Sequence, residues 1–442
     1  EEKISGNENK KQISNASAIM DIALPGYGFY GGNATKALIY DIKDRKNPVL
    51  IRDAAVDGSY ISSRKIGTAL YIITNKNTYE YINNKPKPVI PLYRDTPSGG
   101  ETVQLDYKDI YYFPDTNATN YMLVSAISLD NMEDSIKISA YLGAGSNIYA
   151  SPENLYVAVT TYRTVDKQDK DSSSDNTVSM DEPVSSKTGA VNNNPVNTLI
   201  YKFKLNDTKV EYVAKGEVPG TILNQFSMDE YMNYFRIATT KGNMWSSGED
   251  ISKNNIYVLN ENMELTGKIE DIAPGERIYS TRFMGERAYM VTFRNVDPLF
   301  VIDLSDPANP KILGALKIPG YSDYLHPYDE NHIIGFGKDT VEVSSSDMNG
   351  LGETMAFYQG IKMALFDVSD VNNPIQKYSV IIGDRGTDSE LLYNHKALLF
   401  SKEKNLIAFP VTLYEIKNKN VEGNKLYNAT QYGEFTFQGA YI

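Results

Sequence analysis

The chain has 442 residues, 41% of them hydrophobic, and carries 44 Lys and Arg against 56 Asp and Glu, a formal net charge of -12 at pH 7. This charge repels nucleic acid and anionic lipid, and no apolar run approaches the roughly 18–20 residues that span a bilayer. The sequence contains no cysteine, which excludes disulfides, thiolate nucleophiles and cysteine-ligated zinc. We therefore expect a globular protein with no nucleic-acid partner and no direct membrane insertion, and its 33 Tyr and 15 Phe favour β-strands.

Residues 1–35 predict an N-terminal extension or loop that is partly disordered. The chain opens on EEKISGNENKK without an initiator Met, so we expect a processed product or a piece of a longer chain. GYGFYGG (26–32) fits the G-x-G-x-x-G pattern of dinucleotide-binding loops, but such a loop stands between a strand and a helix. Here the strand-like ALIYDI follows, which indicates a flexible glycine-aromatic loop instead.

A turn rich in Asp, Asn and Pro recurs three times along the chain. In LFVIDLSDPANPKILGALKIPG (299–320) it reads D-x-S-D-P-x-N-P and separates two runs of alternating apolar and polar residues. Asp and Ser side chains can bond the turn backbone, while the prolines end strand pairing, so the turn predicts a corner between two strands. The equivalent residues of the three copies are Asp41, Asp44, Asn47 and Pro48, then Asp303, Asp306, Asn309 and Pro310, and finally Asp367, Asp370, Asn373 and Pro374.

A second repeated element is a hairpin with a glycine at its tip. SSRKIGTALYIIT (62–74) aligns without a gap with STRFMGERAYMVT (280–292), so that Gly67 matches Gly285. Glycine supplies the positive φ that a tight hairpin needs between strands of β-branched and aromatic residues. Looser versions occur at 147–162, 223–240, 323–337 and 391–411. The hairpins of the corner type start near Ala37, Tyr121, Thr198, Asn255, Leu299, Lys362 and Phe435.

The alternation of these two hairpin types predicts a four-stranded antiparallel unit that repeats about six or seven times. Radial repetition of such units is typical of a β-propeller, which leaves few sheet edges exposed, whereas a β-sandwich has no reason to repeat a unit in this way. We predict an all-β fold, a β-propeller of four-stranded antiparallel blades over residues 36–442, with about seven blades. Polar, weakly patterned segments at 76–118, 163–197, 338–360 and 412–434 indicate insertions, and we expect 163–197 to be a flexible, disordered loop.

Residues 275–339, from GERIYSTRF to GFGKD, resemble a family of secreted bacterial β-propeller domain proteins distantly related to WD40 repeats. Residues 223–240 and 383–411 resemble the same family. The resemblance implies a propeller and export, often as a lipoprotein or beside other surface modules, and it brings no assigned reaction. Members usually begin with a segment that supplies the first strands, and nothing here matches it, so closure of the ring within this chain is left open. The visible hairpins predict seven blades, and the full family pattern allows eight.

Metal and cofactor motifs are weak in this sequence. The acidic run DKQDKDSSSD (166–175) fails the EF-hand pattern, because Ser174 and Met180 stand where the loop needs Gly and Glu, so it indicates a solvated charge run. The three histidines, His326, His332 and His395, include no HExxH motif. We expect no metal and no cofactor, and the alternative left open is a structural or channel-bound Ca²⁺.

The first strand of each propeller blade lines the axial channel, and polar residues occur there in this chain. Arg holds carboxylates in bidentate fashion, so converging polar side chains predict a site for a carboxylated or hydroxylated ligand. The alternative is structural, with Arg64 and Arg282 tying neighbouring blades through carbonyl groups or a carboxylate. The positions are Arg64, Asn147, Asn224, Arg282, Ser322 or Asp323, and Glu390, with Asp229 and Glu230 in an adjoining turn.

Two classes of function remain open. We expect an exported, non-catalytic binding module of unknown function at the cell surface, which takes a protein, glycan or small-molecule ligand at the channel mouth or the loop face. The alternative is an extracellular hydrolase or lyase with catalytic residues around the channel; a His and a carboxylate at hydrogen-bond distance in an open pocket would favour it. The residues of that alternative site are His326, His395, Glu390 and Asp229.

Overall fold

The structure is a computed structural model. It describes residues 33–82, 84–113, 119–143, 147–162, 196–294, 297–344, 346, 355–417 and 424–442. The glycine-aromatic loop at 26–32, the acidic run at 166–175, nearly all of the predicted N-terminal extension and residues 163–195 of the predicted flexible insertion lie outside the described residues. Contacts between Cα atoms divide the described chain into two compact units, the first reaching residue 143 and including 207–209, the second comprising the remainder.

The first unit contains two larger sheets and a hairpin, with strand orders β1-β2-β7-β8, β3-β4-β10-β11-β9 and β5-β6. Residues 76–118, predicted to be a weakly patterned insertion, supply β5 to β9 and bury Leu92, Leu105 and Phe113, because isolated apolar residues in this polar stretch reach the core. The strands are β1 (Ala34–Asp41), β2 (Val49–Asp57), β3 (Ser59–Ile66), β4 (Ala69–Asn77), β5 (Tyr79–Ile82), β6 (Lys85–Pro88), β7 (Leu92–Asp95), β8 (Thr102–Gln104), β9 (Ile110–Tyr112), β10 (Asn120–Ser128) and β11 (Lys137–Leu142).

The second unit confirms the predicted antiparallel repeat in four sheets, each with its four strands in chain order, followed by a three-stranded sheet. The strands of the four sheets are β12 (Asn147–Ala150), β13 (Asn154–Tyr162), β14 (Val196–Asn206), β15 (Lys209–Pro219), β16 (Met228–Tyr231), β17 (Tyr234–Lys241), β18 (Lys253–Leu259), β19 (Leu265–Ile272), β20 (Arg277–Met284), β21 (Arg287–Phe293), β22 (Asp297–Asp303), β23 (Lys311–Ile318), β24 (Tyr321–Asp329), β25 (His332–Val343), β26 (Met355–Asp367) and β27 (Ile375–Ile382).

The three-stranded sheet and the helices complete the second unit. The remaining elements are β28 (Leu399–Ser401), β29 (Leu406–Glu415), α1 (Lys425–Thr430) and β30 (Glu434–Tyr441). Short 3₁₀ helices lie at Thr96–Ser98 and Tyr107–Asp109 in the first unit and at Gln225–Ser227, Gly248–Asp250, Glu390–Leu392 and His395–Ala397 in the second. No helix in the described part of the chain is long and apolar enough to cross a bilayer.

The tip glycines and the corners form as the sequence predicts. Gly67 and Gly285 have φ of 54° and 55° at the tips of the β3–β4 and β20–β21 hairpins. In the β22–β23 corner, Asp306 Oδ1 accepts from the Ala308 backbone N–H at 3.0 Å, and Asp306 Oδ2 accepts from Asn309 Nδ2 at 2.8 Å. The corners that begin with Asp41 and Asp367 repeat these bonds within 0.2 Å. Local hydrogen bonding of Asp and Asn therefore accounts for the repeated motif.

The core of the second unit lies between consecutive sheets. One cluster joins Ile256 of β18 to Met290 of β21, and the next joins Val291 of β21 to Phe366 of β26. Each fully buried aliphatic or aromatic side chain of this kind contributes about 1.5–3 kcal/mol to stability. Each sheet therefore depends on its neighbours in sequence for its apolar cover.

The outer strands approach the corner of the following sheet closely. A Cβ on Gly267 of β19 would lie 2.2 Å from the carbonyl oxygen of Pro307, and one on Gly314 of β23 would lie 2.6 Å from that of Asn372. Both carbonyls belong to corner turns, so a side chain at either glycine would push the next sheet away. The repeated corner thus also serves as a contact between sheets.

Candidate functional site

The first strands of consecutive sheets in the second unit lie beside one another. β20 contacts β24 and the 3₁₀ helix Gln225–Ser227 that precedes β16. The Ser280 hydroxyl of β20 donates to the backbone carbonyl of Ser322 in β24 at 2.7 Å. Side chains of β20, β24 and this 3₁₀ helix therefore lie close together.

Arg282 is at the centre of this convergence. Its guanidinium lies over the Phe226 ring, 4.9 Å from the ring centroid, and the residue is half-buried on β20. Burial lowers the pKa of Arg282, and the neighbouring Tyr324, Asp229 and Tyr149 act in the opposite direction. The guanidinium forms no hydrogen bond or ion pair with any residue that the structure describes. Arg282 is thus a half-buried cation that lies against an aromatic ring.

Two of the three histidines join Arg282 around Phe226 and Tyr324. His326 Nδ1 lies 3.1 Å from the Tyr324 hydroxyl, and burial, assisted by the charge of Arg282, lowers the pKa of His326 to about 4. The His395 ring meets the edge of Phe226 at 4.8 Å, and its Nδ1 lies 3.3 Å from Gln225 Nε2. We name Phe226, Arg282, Tyr324, His326 and His395 the first-strand cluster. His326 is neutral at physiological pH and therefore offers a hydrogen-bonding ring rather than a charge.

The predicted carboxylates are engaged elsewhere. Asp229 accepts from Arg236 Nε at 3.0 Å and from the Tyr149 hydroxyl at 3.4 Å, and it lies on β16 rather than in the predicted turn. Glu230, also on β16, accepts from Asn154 Nδ2 at 2.7 Å. Asp229 influences Arg282 through space, but its direct partner is Arg236, which it holds in an ion pair.

Asn224 and Glu390 correct the prediction that they occupy first strands. Asn224 caps the 3₁₀ helix Gln225–Ser227, and its Oδ1 accepts from the Phe226 backbone N–H at 2.9 Å. Glu390 is exposed in a 3₁₀ helix and accepts from Asn394 Nδ2 at 2.6 Å. The chain enters both sheets through a 3₁₀ turn, a local hydrogen-bonding choice that strand periodicity does not reveal.

Arg64, Asn147 and Asp323 do occur on first strands, β3, β12 and β24 respectively. Arg64, in the first unit, donates to the Ser63 carbonyl at 2.8 Å and to Ser62 Oγ at 3.2 Å, both of which belong to its own strand. Asp323 lines a cavity of about 490 Å³ with Arg277, and burial raises the pKa of Asp323 to about 7. Its charge interactions are with Lys338, Asp388 and Arg277 rather than with the first-strand cluster.

His332 belongs to a hairpin turn rather than to this cluster. Its Nδ1 lies 2.8 Å from Asp329 Oδ1 and its Nε2 3.7 Å from Asp367 Oδ2, while Lys402 donates to Asp329 Oδ2 at 3.1 Å. Hydrogen bonds from His332 and Lys402 lower the pKa of Asp329 to about 2 against the opposing effect of its partial burial. Within the described ranges no group of three or more His, Asp or Glu side chains is placed to hold a metal ion.

The aromatic members of the cluster were not predicted. Phe226, Tyr324 and Phe400, whose ring lies 4.5 Å from that of His326, surround the polar groups. Aromatic residues are frequent throughout this sequence, with 33 Tyr and 15 Phe, so composition alone could not single these out.

Comparison with known proteins places the whole chain in one family. A family model described as "Beta propeller domain" matches residues 2–442. An uncharacterized protein of Archaeoglobus fulgidus is 32% identical over 81% of this chain and 60% of its own length. An uncharacterized protein of Methanocaldococcus jannaschii is 29% identical over 93% of this chain and 70% of its own length. The chain thus spans 60% to 70% of relatives that come from archaea, whereas the sequence analysis expected a bacterial family.

Proposed function

The chain belongs to the beta propeller domain family, and from this premise we propose that it is an exported, non-catalytic binding module that takes an anionic ligand at the first-strand cluster. Propellers commonly bind through side chains that converge from several blades, because no single blade encloses a pocket. Export is carried over from the resemblance described above. The number of blades and the relation to WD40 repeats stay predictions.

One observation carries the proposal, the unpaired state of Arg282. Arg52 and Arg236 are also buried, and each is paired with a carboxylate at hydrogen-bond distance. Arg282 is half-buried and forms neither an ion pair nor a hydrogen bond with the described residues. A half-buried guanidinium without a counter-charge has lost part of its hydration, and a bound carboxylate would offset that loss by bidentate hydrogen bonds.

The neighbours of Arg282 suit recognition better than catalysis. The neutral His326 and the Tyr324 hydroxyl are hydrogen-bonded to each other, which leaves one donor of the pair for a carboxylate or hydroxyl group, and Phe226 covers one face of the Arg282 guanidinium. A hydrolase would need a base activated by a carboxylate. Asp229 is held by Arg236, and His326 is hydrogen-bonded to Tyr324 instead of an acid.

The proposal is tested by thermal melting with acetate, succinate and citrate at constant ionic strength. A ligand that binds the folded chain raises Tm in proportion to ln(1 + [L]/Kd), so at least one carboxylate should raise the Tm of the wild-type chain. Arg282→Gln should abolish the rise, and Arg282→Lys should retain part of it. Arg45→Gln, in an exposed turn, changes net charge equally and should leave the rise intact. A rise that persists in Arg282→Gln refutes the assignment of the site.

The enzymatic alternative needs its own test. The wild-type chain is incubated with chromogenic esters, glycosides and uronate-containing polysaccharides, and product release is followed with time. Turnover that disappears in both His326→Ala and His395→Ala would replace the binding module by a hydrolase or lyase. We expect no turnover that depends on these histidines.

A further inference from the structure

A second candidate site lies at the other end of β20. Two adjoining cavities of about 490 and 930 Å³ share Met244, Trp245 and Tyr279. We name their combined surface the loop-face groove; it lies where β20 and β24 begin and where the loop between β17 and β18 projects. Arg277 and Arg282 are five residues apart on β20, about 16–17 Å along an extended strand, and no residue of the first-strand cluster lines either cavity, so the groove is distinct from that cluster.

Trp245 presents an exposed aromatic side chain in the loop-face groove. It is the one tryptophan in the sequence, and 80% of its surface is exposed. Its loop is ordered by hydrogen bonds, with Asn243 Oδ1 accepting from the Trp245 backbone N–H at 2.9 Å and the Asn243 backbone N–H donating to the Asp250 carbonyl at 2.9 Å. An exposed indole on an ordered loop is a feature of recognition sites, because the ring gains contact area at little entropic cost.

The floor of the groove is aromatic as well. Tyr279 packs edge-on against Tyr321 at 4.7 Å, and Tyr321 packs in the same way against Tyr358 at 5.2 Å. The Phe293 ring packs edge-on against the Tyr279 ring, with 5.2 Å between the ring centroids. Tyr279 and Tyr358 line the cavities, so their faces or edges are available to a ligand while their partners keep them in place.

The charge of the groove is opposite to that of the whole chain. Arg277, Arg294 and Arg385 line the two cavities, where the single lining carboxylate among the described residues is Asp323. Arg277 lies over Tyr279 at 4.9 Å and donates to its hydroxyl at 3.3 Å, and Arg294 faces Trp245 at 5.9 Å. No carboxylate neutralises Arg277 by an ion pair in the described structure.

Arg385 adds an unsatisfied donor. Its guanidinium donates to the Tyr358 carbonyl at 2.9 Å and lies over the Tyr432 ring at 4.7 Å, while its buried Nε has no hydrogen-bond partner. Buried donors normally have partners, and Arg385 also forms no ion pair with a carboxylate among the described residues. Burial also raises the pKa of Asp323 to about 7, so this carboxyl is protonated below that pH and opposes an anion less.

We propose that the loop-face groove binds a carboxylated glycan, with sugar rings against Trp245 and Tyr279 and carboxylates on Arg277 and Arg385. Aromatic faces accept the C–H surfaces of sugar rings, and arginine holds carboxylates in bidentate pairs. Single-stranded nucleic acid also uses stacking and arginine. We favour the glycan because the net charge of -12 opposes a densely charged polyanion, whereas a glycan such as hyaluronan carries one carboxylate on every second sugar.

Trp245 supplies a direct assay, since its fluorescence reports from the groove alone. The full chain is titrated with oligogalacturonate, alginate and hyaluronan oligosaccharides, with neutral cello-oligosaccharide as the matched probe and an oligothymidylate as the nucleic-acid probe. We expect saturable fluorescence changes with at least one carboxylated glycan, affinity that falls with added salt, and binding of the neutral probe at least about tenfold weaker.

Variants of Arg277 and Trp245 test whether residues of the loop-face groove are needed for glycan binding. Arg277→Gln should weaken glycan binding about tenfold, as expected for loss of one charge-assisted hydrogen-bonding group. Trp245→Ala, monitored by calorimetry, should abolish binding and leave Tm unchanged because its side chain is exposed. Arg45→Gln, in an exposed turn, should bind as the wild type does. Absence of binding to every carboxylated probe at millimolar concentration, equal binding of the neutral probe, preference for oligothymidylate, or an unaffected Arg277→Gln variant would each overturn the proposal.

Discussion

The buried ion pair of the first unit gives the sharpest test of how this fold is held together. Arg52 Nε donates to Asp95 Oδ1 at 2.9 Å, and a terminal nitrogen of the same guanidinium donates to Asp95 Oδ2 at 2.6 Å. Both side chains are fully buried. Arg52 also donates to the Asp134 carbonyl at 2.8 Å, and Asp95 accepts from the Ile136 backbone N–H at 2.7 Å. The pair therefore links β2 and β7 to the segment that leads into β11.

Removing one partner leaves the other charge buried and uncompensated. Such a loss costs about 3–5 kcal/mol, whereas replacing both charges by uncharged groups is often close to neutral. We expect Arg52→Met and Asp95→Asn each to destabilise the first unit by about that amount. Asn at position 95 can still accept from the Ile136 N–H, so the double variant should lose much less than the sum, with a coupling of about 2 kcal/mol or more.

Urea unfolding followed by far-UV circular dichroism measures these changes. Hydrogen exchange of peptides from β2 and β7 then shows whether the loss falls in the first unit. Lys108→Gln is the control, because it breaks the ion pair with Asp106, in which both side chains are largely exposed. This variant should leave the midpoint of urea unfolding unchanged. Additive single variants, with coupling below about 0.5 kcal/mol, would refute the account of this pair as a mutually dependent buried unit.

Three further predictions follow from backbone geometry and from titration. Gly285→Val should lower Tm more than any substitution within 166–194, because φ is 55° at this hairpin tip and a β-branched residue is strained there. Gly285→Asn should be tolerated, since Asn adopts the left-handed conformation more readily. Equal Tm values for the two variants would contradict the turn assignment. The pKa of Asp323 is about 7 in the folded chain, above the value of about 4 in the unfolded chain, so the free energy of unfolding should fall as pH rises from about 4 to 7. Asp323→Asn should flatten this part of a Tm–pH profile. The pKa of His326 is lowered to about 4, so His326 lowers the stability of the folded chain as pH falls from about 6.5 to 4. His326→Gln should reduce that loss of stability. A Tm–pH profile that is unaltered in Asp323→Asn or in His326→Gln would contradict the pKa shift of that residue.

The strand repeat was predictable because its causes are local. Alternation of apolar and polar residues sets a strand, a glycine with positive φ closes a hairpin at Gly67 or Gly285, and Asp306 with Asn309 closes a corner through bonds to its own turn. Each of these signals lies within about ten residues of sequence, so it can be recognised without knowing which strands pack against that segment. The same reasoning failed for Asn224 and Glu390, where a 3₁₀ turn replaces the expected strand.

The candidate sites depended on contacts between distant residues. The sequence identified Arg282 as a first-strand residue, but the aromatic ring beneath it, Phe226, comes from the 3₁₀ helix that precedes β16. Trp245 and Arg277 also come from different sheets, and no period in the sequence relates them. Whether an arginine is paired, as Arg52 is, or unpaired depends on which side chains arrive from other strands.

The sequence alone determined that this chain forms an all-β repeat of antiparallel hairpins, because strand period and turn chemistry act over a few residues. The tertiary structure decided which charges are paired with a counter-charge, because that depends on packing between sheets. It also placed an exposed indole beside three guanidinium groups in a protein of net negative charge. Side-chain pairing across sheets is a non-local property, and it is the property from which both proposed sites follow.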